Sequence, residues 1–366
     1  MTRIPAHLIE PPGEILREEI ESRGWTQSDL AEIMGRPLAA VNEIINGKRK
    51  ITARTAAQLG AALDIDPQFW LNLESSYQLS RTGKQQDTND FAKLMNYAPV
   101  KEMQSRGWLP RTRSTSTLKE SVLSFFAVDS LAEKPALAGA FRQSAGDIST
   151  SHVAWCIRSL QKAQAQDVKK YDPSRVGELK QELRAMAAYA DEVRKVPSVL
   201  ANYGIRFVIV KHLKSTKTDG AALWLDKASK AKPVIVMSLR YGRIDYFWHT
   251  LCHELSHIAH RDSFKLDLDL ASAKEGEAVD EVEERANEEA ASMLIPRDEL
   301  RSFIVRKRPY FSTKSIIQFA NRVRIHPGII VGQLQYRKAI KYTHSQKMLV
   351  QIRDNVIETS VTDGWT

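Results

Sequence analysis

The stretch "WHTLCHELSHIAH", residues 248–260, sets His253 beside Glu254 and places His257 four positions after His253. Residues four apart on an α-helix share one face, one turn above the other. Two imidazoles so placed can offer nitrogens to one ion at the ~2.0–2.1 Å that zinc prefers. Glu254, next to the first of them, is angled to reach a water on that ion. This is the HExxH arrangement, in which the ion acidifies water and the glutamate accepts its proton. The same stretch also admits a plainer reading, a core helix whose histidines are satisfied by hydrogen bonds. Against it stands the clustering of His249, His253, Ser256, His257 and His260, while Leu251, Cys252, Leu255, Ile258 and Ala259 supply the packing.

A catalytic zinc keeps three protein ligands and one open position, so a third ligand is required. "AVDEVEERANEEAASMLIP" (278–296) reads as a helix with a buried stripe through Val279, Ala286, Ala290 and Leu294. Glu283 falls on that stripe, where a carboxylate is costly unless it is paired or bound to a cation. Asp280, Glu281, Glu284, Glu288 and Glu289 fall elsewhere and are expected to face solvent. Glu283 is therefore the expected third ligand, with a salt bridge to a C-terminal base as the alternative. His260 lies one turn past His257, and His326 precedes Pro327-Gly328; both stand as candidates for support of the site or for structural duty.

Upstream of the motif, "IRFVIV" (205–210), "GAALWL" (220–225) and "KPVIVMSL" (232–239) are apolar runs bounded by turn residues, and they predict a small sheet. From 81 to 196 the chain is mostly helical and carries no catalytic constellation; His152 and Trp155 read as packing residues. Two or three domains suit 366 residues. No run approaches the ~18 apolar residues of a membrane helix, and the first residues lack a secretory pattern. Cys156 and Cys252 are too few for a disulfide framework. A cytoplasmic protein with reduced thiols is expected. The net charge of +9 is unevenly spread. Acids outnumber bases before Ser80, whereas Arg301 to Lys347 holds eleven Lys or Arg and no Asp or Glu. The acidic and basic stretches are expected to face each other or to be solvated.

The first eighty residues are written as short helices. Thr26 and Asp29 make a capping-box-like start, Leu30, Ile33 and Met34 give an apolar stripe, and Gly35 allows a tight corner. Pro37 suits a first helical turn, Val41, Ile44 and Ile45 form the next buried face, and Asn46-Gly47 ends it. Ala31, Gly35, Val41 and Ile44 have the spacing of a helix-turn-helix, leaving the outer face of 37–46 free to enter a major groove.

Two resemblances extend this reading. "PGEILREEI" (12–20), "LAEIMGRP" (30–37), "VNEIINGKRKIT" (41–52) and "FWLNLESSYQL" (69–79) resemble the Cro/repressor-type domain of HigA-type antitoxins. That resemblance implies a dimeric five-helix domain that binds operator DNA, with Gln27 and Asn42 near the DNA. Arg36, Lys48 and Arg49 are the phosphate candidates, since they flank the recognition helix. Leu38, Ala39 and Ala40 stand where polar base readers commonly sit, and can only touch thymine methyls. "GAALWLD" (220–226), 233–260, "ERANEEAASMLIP" (284–296) and "IHPGIIVGQLQ" (325–335) resemble the ImmA/IrrE family of zinc metallopeptidases. The family's Glu-x-x-Ala-Asn pattern falls on Glu283, Ala286 and Asn287. His249 and Ser256 depart from it, where Phe and Gly are usual.

The expected architecture is mainly α with a small β-sheet (α+β). It comprises a helix-turn-helix domain (1–80), a helical connector (81–196), a zincin-like metallopeptidase domain (197–345) and a tail (346–366). The expected site holds Zn2+ or another divalent ion on His253, His257 and Glu283, with Glu254 as general base. His249, His260, Asn287 and His326 are possible supports of that site. Expected partners are operator DNA, a protein substrate or cognate toxin, and a second copy of the chain through the N-terminal domain. A non-enzymatic antitoxin or a ligand-sensing repressor with a structural metal is the alternative.

Overall fold

The computed structural model describes residues 10–81, 85–137, 148–214, 216–226, 228–262, 265–268 and 281–365. Val279 and Asp280 of the expected acidic helix lie outside them. The chain forms two compact units, Met1–Phe91 and Ala92–Thr366.

The first unit contains α1 (Pro12–Ser22), α2 (Gln27–Ile33), α3 (Leu38–Ile45), α4 (Ala53–Leu63) and α5 (Pro67–Arg81). The capping box forms: Asp29 N–H donates to Thr26 Oγ1 at 3.2 Å, and Thr26 N–H donates to Asp29 Oδ2 at 2.7 Å. Thr26 N–H and the Thr26 hydroxyl, which donates to the same Asp29 Oδ2 at 2.8 Å, hold the Asp29 carboxyl below its ordinary range. Gly35 turns the chain between α2 and α3 at φ +61°. A Cβ on Gly13 would strike the carbonyl oxygen of Ile45, so glycine lets α1 lie directly on the end of α3. Leu16, Leu30, Val41, Ile44, Leu59 and Trp70 fill the centre.

The helix α6 (Gln85–Tyr97) leads into the second unit. Then come α7 (Val100–Ser105), α8 (Thr115–Phe126), α9 (Thr150–Gln164), α10 (Val176–Met186) and α11 (Val196–Asn202). Strands β1 (Arg206–Val210), β2 (Thr218–Trp224) and β3 (Pro233–Met237) follow, then α12 (Ile244–Ala259), β4 (Lys265–Leu268) and α13 (Glu281–Leu294). The chain closes with α14 (Arg297–Lys307), α15 (Thr313–Val323), α16 (Pro327–Tyr336), α17 (Arg353–Thr359) and β5 (Val361–Asp363). The five strands lie in the order β4-β2-β3-β1-β5; β1 is parallel to β3 and β5, and β2 is antiparallel to β3 and β4. The fold is α+β, mainly helical, as the sequence predicts. Strands β2 and β3 are buried along their whole length, the pattern of a sheet covered on both faces. Among the described residues no helix is long and apolar enough to cross a membrane.

The expected connector and tail take a different form. Val100, Met103, Val153, Trp155, Leu179 and Leu183 join one core with the sheet residues Phe207, Ile209, Leu223 and Ile235. Trp155 Nε1 donates to the Val210 carbonyl at 2.9 Å. The apolar stripes of these helices need a surface to bury against, and the sheet supplies it. The last residues are likewise built in. Asp363 Oδ1 accepts from Trp108 Nε1 and its Oδ2 from Arg158 Nε, each at 2.8 Å, with Lys162 Nζ at 3.6 Å. The side chain of Asp363 is 6 % exposed, so its removal leaves Arg158 uncompensated. Asp363→Ala is expected to lower the unfolding free energy of the second unit by about 3 kcal/mol in denaturant titration. No change would mean that β5 is a free end.

Candidate metal centre and DNA-binding surface

Helix α12 is preceded by Arg243, whose guanidinium donates twice to Asp245 at 3.0 and 2.6 Å. It ends at His260, where Arg261 turns the chain at φ +54°. Between them the helix is enclosed: Trp248, Leu251, Leu255 and Ile258 are buried, and so are His253, Glu254, Ser256 and His257. Such a run of buried polar groups requires partners.

The partners converge. His253 Nε2 and His257 Nε2 stand 3.0 Å apart, and Glu283 Oε2 lies 3.3 Å from the first and 3.5 Å from the second. Among the described residues these three form a group able to hold one metal ion. A tetrahedral zinc with bonds of 2.0–2.1 Å has ligand–ligand edges of about 3.3 Å, so the donor triangle has the size that zinc requires. Two nitrogens and one carboxylate oxygen are also its usual donors. Burial pushes the Glu283 carboxyl up, but hydrogen bonds and charge from His253 and His257 outweigh it and hold the group below its ordinary range. Burial pushes the neighbouring Cys252 thiol up to about 12.

Glu254 is fully buried against β2. A Cβ on Gly220 would collide with Glu254 Oε1 and with Thr250 Cγ2, so glycine in mid-strand makes room for this carboxylate. The sequence reading missed that role for Gly220, and it missed Asp262 and Arg285. Asp262 Oδ2 accepts from His257 Nδ1 at 2.8 Å and from Arg285 Nη2 at 2.5 Å. A carboxylate just past the C-terminus of a motif helix was the available signal.

The stripe of α13 is as expected at Ala286, Ala290 and Leu294, all buried. Glu289 is not solvent-facing as expected. It accepts from Ser256 Oγ at 3.0 Å, Lys180 Nζ at 3.1 Å and His260 Nε2 at 2.7 Å. Partial burial raises its pKa, but these bonds prevail and hold it low. His260 therefore bonds to Glu289 and not to the donor triangle. His249 packs beside His253, ring centroids 6.3 Å apart. Asn287 is half-buried one turn beyond Glu283. His326 is spent on capping α16, where its Nδ1 accepts Gly328 N–H at 3.0 Å.

In the first unit, Thr26, Gln27, Ser28, Leu38, Ala39, Asn42 and Glu43 line a groove between α2 and α3. Gln27 and Asn42 meet there, with Asn42 Nδ2 donating to Gln27 Oε1 at 3.1 Å. Leu38 and Ala39 are exposed, but Ala40 is buried and cannot face a base. Arg36 Nε donates to Gln58 at 2.7 Å, and Arg49 pairs with Glu43 at 2.8 Å. Lys48 is exposed at the end of α3 without an ion pair among the described residues.

Residues 16–70 match the helix-turn-helix family. Over 84 residues the chain is 39% identical to Virulence-associated protein A' of Dichelobacter nodosus, covering 22% of this chain and 73% of that protein. The chain belongs to the helix-turn-helix family. To Antitoxin HigA-1 of Vibrio cholerae this helix-turn-helix protein is 43% identical over 68 residues, 18% of its own length and 64% of the relative's. A solved addiction module antidote protein of a HigA family from Coxiella burnetii is 35% identical, with 22% of this chain and 89% of that one covered at a TM-score of 0.21. The first unit is thus a DNA-binding unit of the transcriptional-regulator and antitoxin-like type. In the second unit, Gly220→Ala is expected to cost about 1–3 kcal/mol through overpacking, read by thermal unfolding. A neutral or stabilising effect, the usual result of filling a strand glycine, would show that Glu254 does not need this space.

Proposed function

We propose that the protein is a DNA-bound regulator whose second unit is a zinc-dependent endopeptidase acting on a protein partner. The convergence of His253, His257 and Glu283 around a volume of zinc size carries this reading. The resemblance of residues from about 200 to 335 to ImmA/IrrE metallopeptidases supports it. His253, His257 and Glu283 would hold the ion, and the ion when bound supplies Lewis acidity toward water and a peptide carbonyl. Glu254 then takes the proton from the attacking water and returns it to the leaving amine. Its enclosure beside Gly220 keeps the carboxylate oriented while the surrounding apolar core excludes bulk water. Leu251, Leu255 and the sheet hold α12 rigid, so the two histidines keep their spacing through the reaction.

The first unit would place this activity at operator DNA in the cytoplasm. Exposed Phe69 and Leu79 on α5 offer an apolar surface for pairing with a second copy. The antitoxin-like relatives favour a cognate toxin as one candidate partner. In the alternative, a non-enzymatic antitoxin or ligand-sensing repressor, the same ion would be structural and Glu254 dispensable.

Glu254→Gln separates the two. Hydrolysis of the partner should fall by at least about 100-fold, the scale of a lost general base, while metal content and unfolding stay unchanged. Full activity in that variant would leave only the structural reading. For DNA, Arg36 and Arg49 are already engaged within the protein, so Lys48 is the free phosphate contact. Lys48→Ala should weaken binding uniformly across sequences and reduce the slope of log affinity against log salt by about one. An unchanged slope in a gel-shift salt series would remove Lys48 from the interface.

A further inference from the structure

His257 is 1 % exposed, and its two ring nitrogens have different tasks. An Nδ1–H donated to Asp262 leaves Nε2 with its lone pair directed at the donor triangle. Asp262 itself is held from several sides. Arg261, a non-glycine residue at φ +54°, reverses the chain after α12, in a conformation that L side chains rarely adopt. Asp262 N–H donates back to the His257 carbonyl at 2.9 Å, and Trp224 Nε1 of β2 donates to the Asp262 carbonyl at 3.0 Å. The loop before β3 fastens the turn: Lys230 Nζ donates to the Arg261 carbonyl at 2.5 Å, and Arg261 Nη2 to the Ser229 carbonyl at 2.6 Å. The oxygen that accepts from His257 also accepts from Arg285, two residues after Glu283 on α13. One carboxylate therefore bridges the helix of the two histidines and the helix of the third donor.

We propose that Asp262 is a positioning residue of the metal centre, setting the tautomer and ring plane of His257 and, through Arg285, the placement of Glu283. The inference rests on the metal-binding reading above. Because one atom, Asp262 Oδ2, meets both His257 and Arg285, moving it would disturb a ring of the donor triangle and the helix that carries Glu283 together.

The test uses the full-length protein and its Asp262→Ala, Asp262→Asn and Arg285→Gln variants. Zn2+ affinity is measured by competition with a chromophoric chelator, and the visible bands of bound Co2+ report coordination geometry. Asp262→Ala should bind Zn2+ about 10–100-fold more weakly than the parent and shift the Co2+ bands. Asp262→Asn keeps an acceptor for His257 and should lose less. A merely structural role would lower the unfolding midpoint of the metal-free protein and leave affinity and bands unmoved; that result overturns the proposal. If Asp262→Ala does not fold, Arg285→Gln decides, with weaker Zn2+ binding in support and unchanged binding against. Failure of the parent to take up either ion would remove the metal centre itself, a result distinct from a metal-binding parent with indifferent variants.

Discussion

The second unit is organised around two buried imidazoles and a partly buried carboxylate within 3.5 Å of one another. Groups of this kind are expensive to remove from water unless they share a cation or hydrogen bonds. The surroundings are arranged to hold that meeting. Buried Ala286 and Ala290 allow α13 to lie close on α12 and present Glu283. Glu289, bonded to Ser256, His260 and Lys180, clamps the same pair of helices nearly two turns further along. Gly220 opens the sheet for Glu254. The Ser256 hydroxyl belongs to that clamp.

The two units carry opposite electrostatic characters. The DNA-binding unit has more acids than bases, and two of its three phosphate candidates are tied to Gln58 and Glu43. The basic stretch lies in the other unit. Arg322 pairs there with Glu299 and Arg297 with Glu288, while Arg301, Lys307, Lys314 and Arg324 are exposed without an ion pair among the described residues. The overall surplus of positive charge therefore says little about how the helix-turn-helix holds DNA.

Much of this was legible in the sequence because it was local. The i, i+4 histidines, the capping box at Thr26 and the stripe through Glu283 each depend on a period or a short spacing. β1 to β3 were visible as dense apolar runs. What escaped was long-range. Residues 81–196 read as a connector because nothing in a helical stripe names the surface it will cover. The buried residues that these helices share with the sheet, and the Trp155 Nε1 bond to the Val210 carbonyl, reveal the common core. β5 is three residues long and has no period to show; Asp363 ties it down through Trp108 and Arg158, more than two hundred residues earlier. Asp262 and Glu289 were hidden for the same reason, since a surface acid and a bridging acid look alike until the facing helix is in place.

X-ray absorption at the zinc edge of the purified protein decides whether His253, His257 and Glu283 share one ion. Bound zinc should show nitrogen and oxygen neighbours alone at about 2.0–2.1 Å and the outer-shell scattering of two imidazoles. A sulfur neighbour at about 2.3 Å, which would implicate Cys252, or the scattering of fewer than two imidazoles, would contradict it.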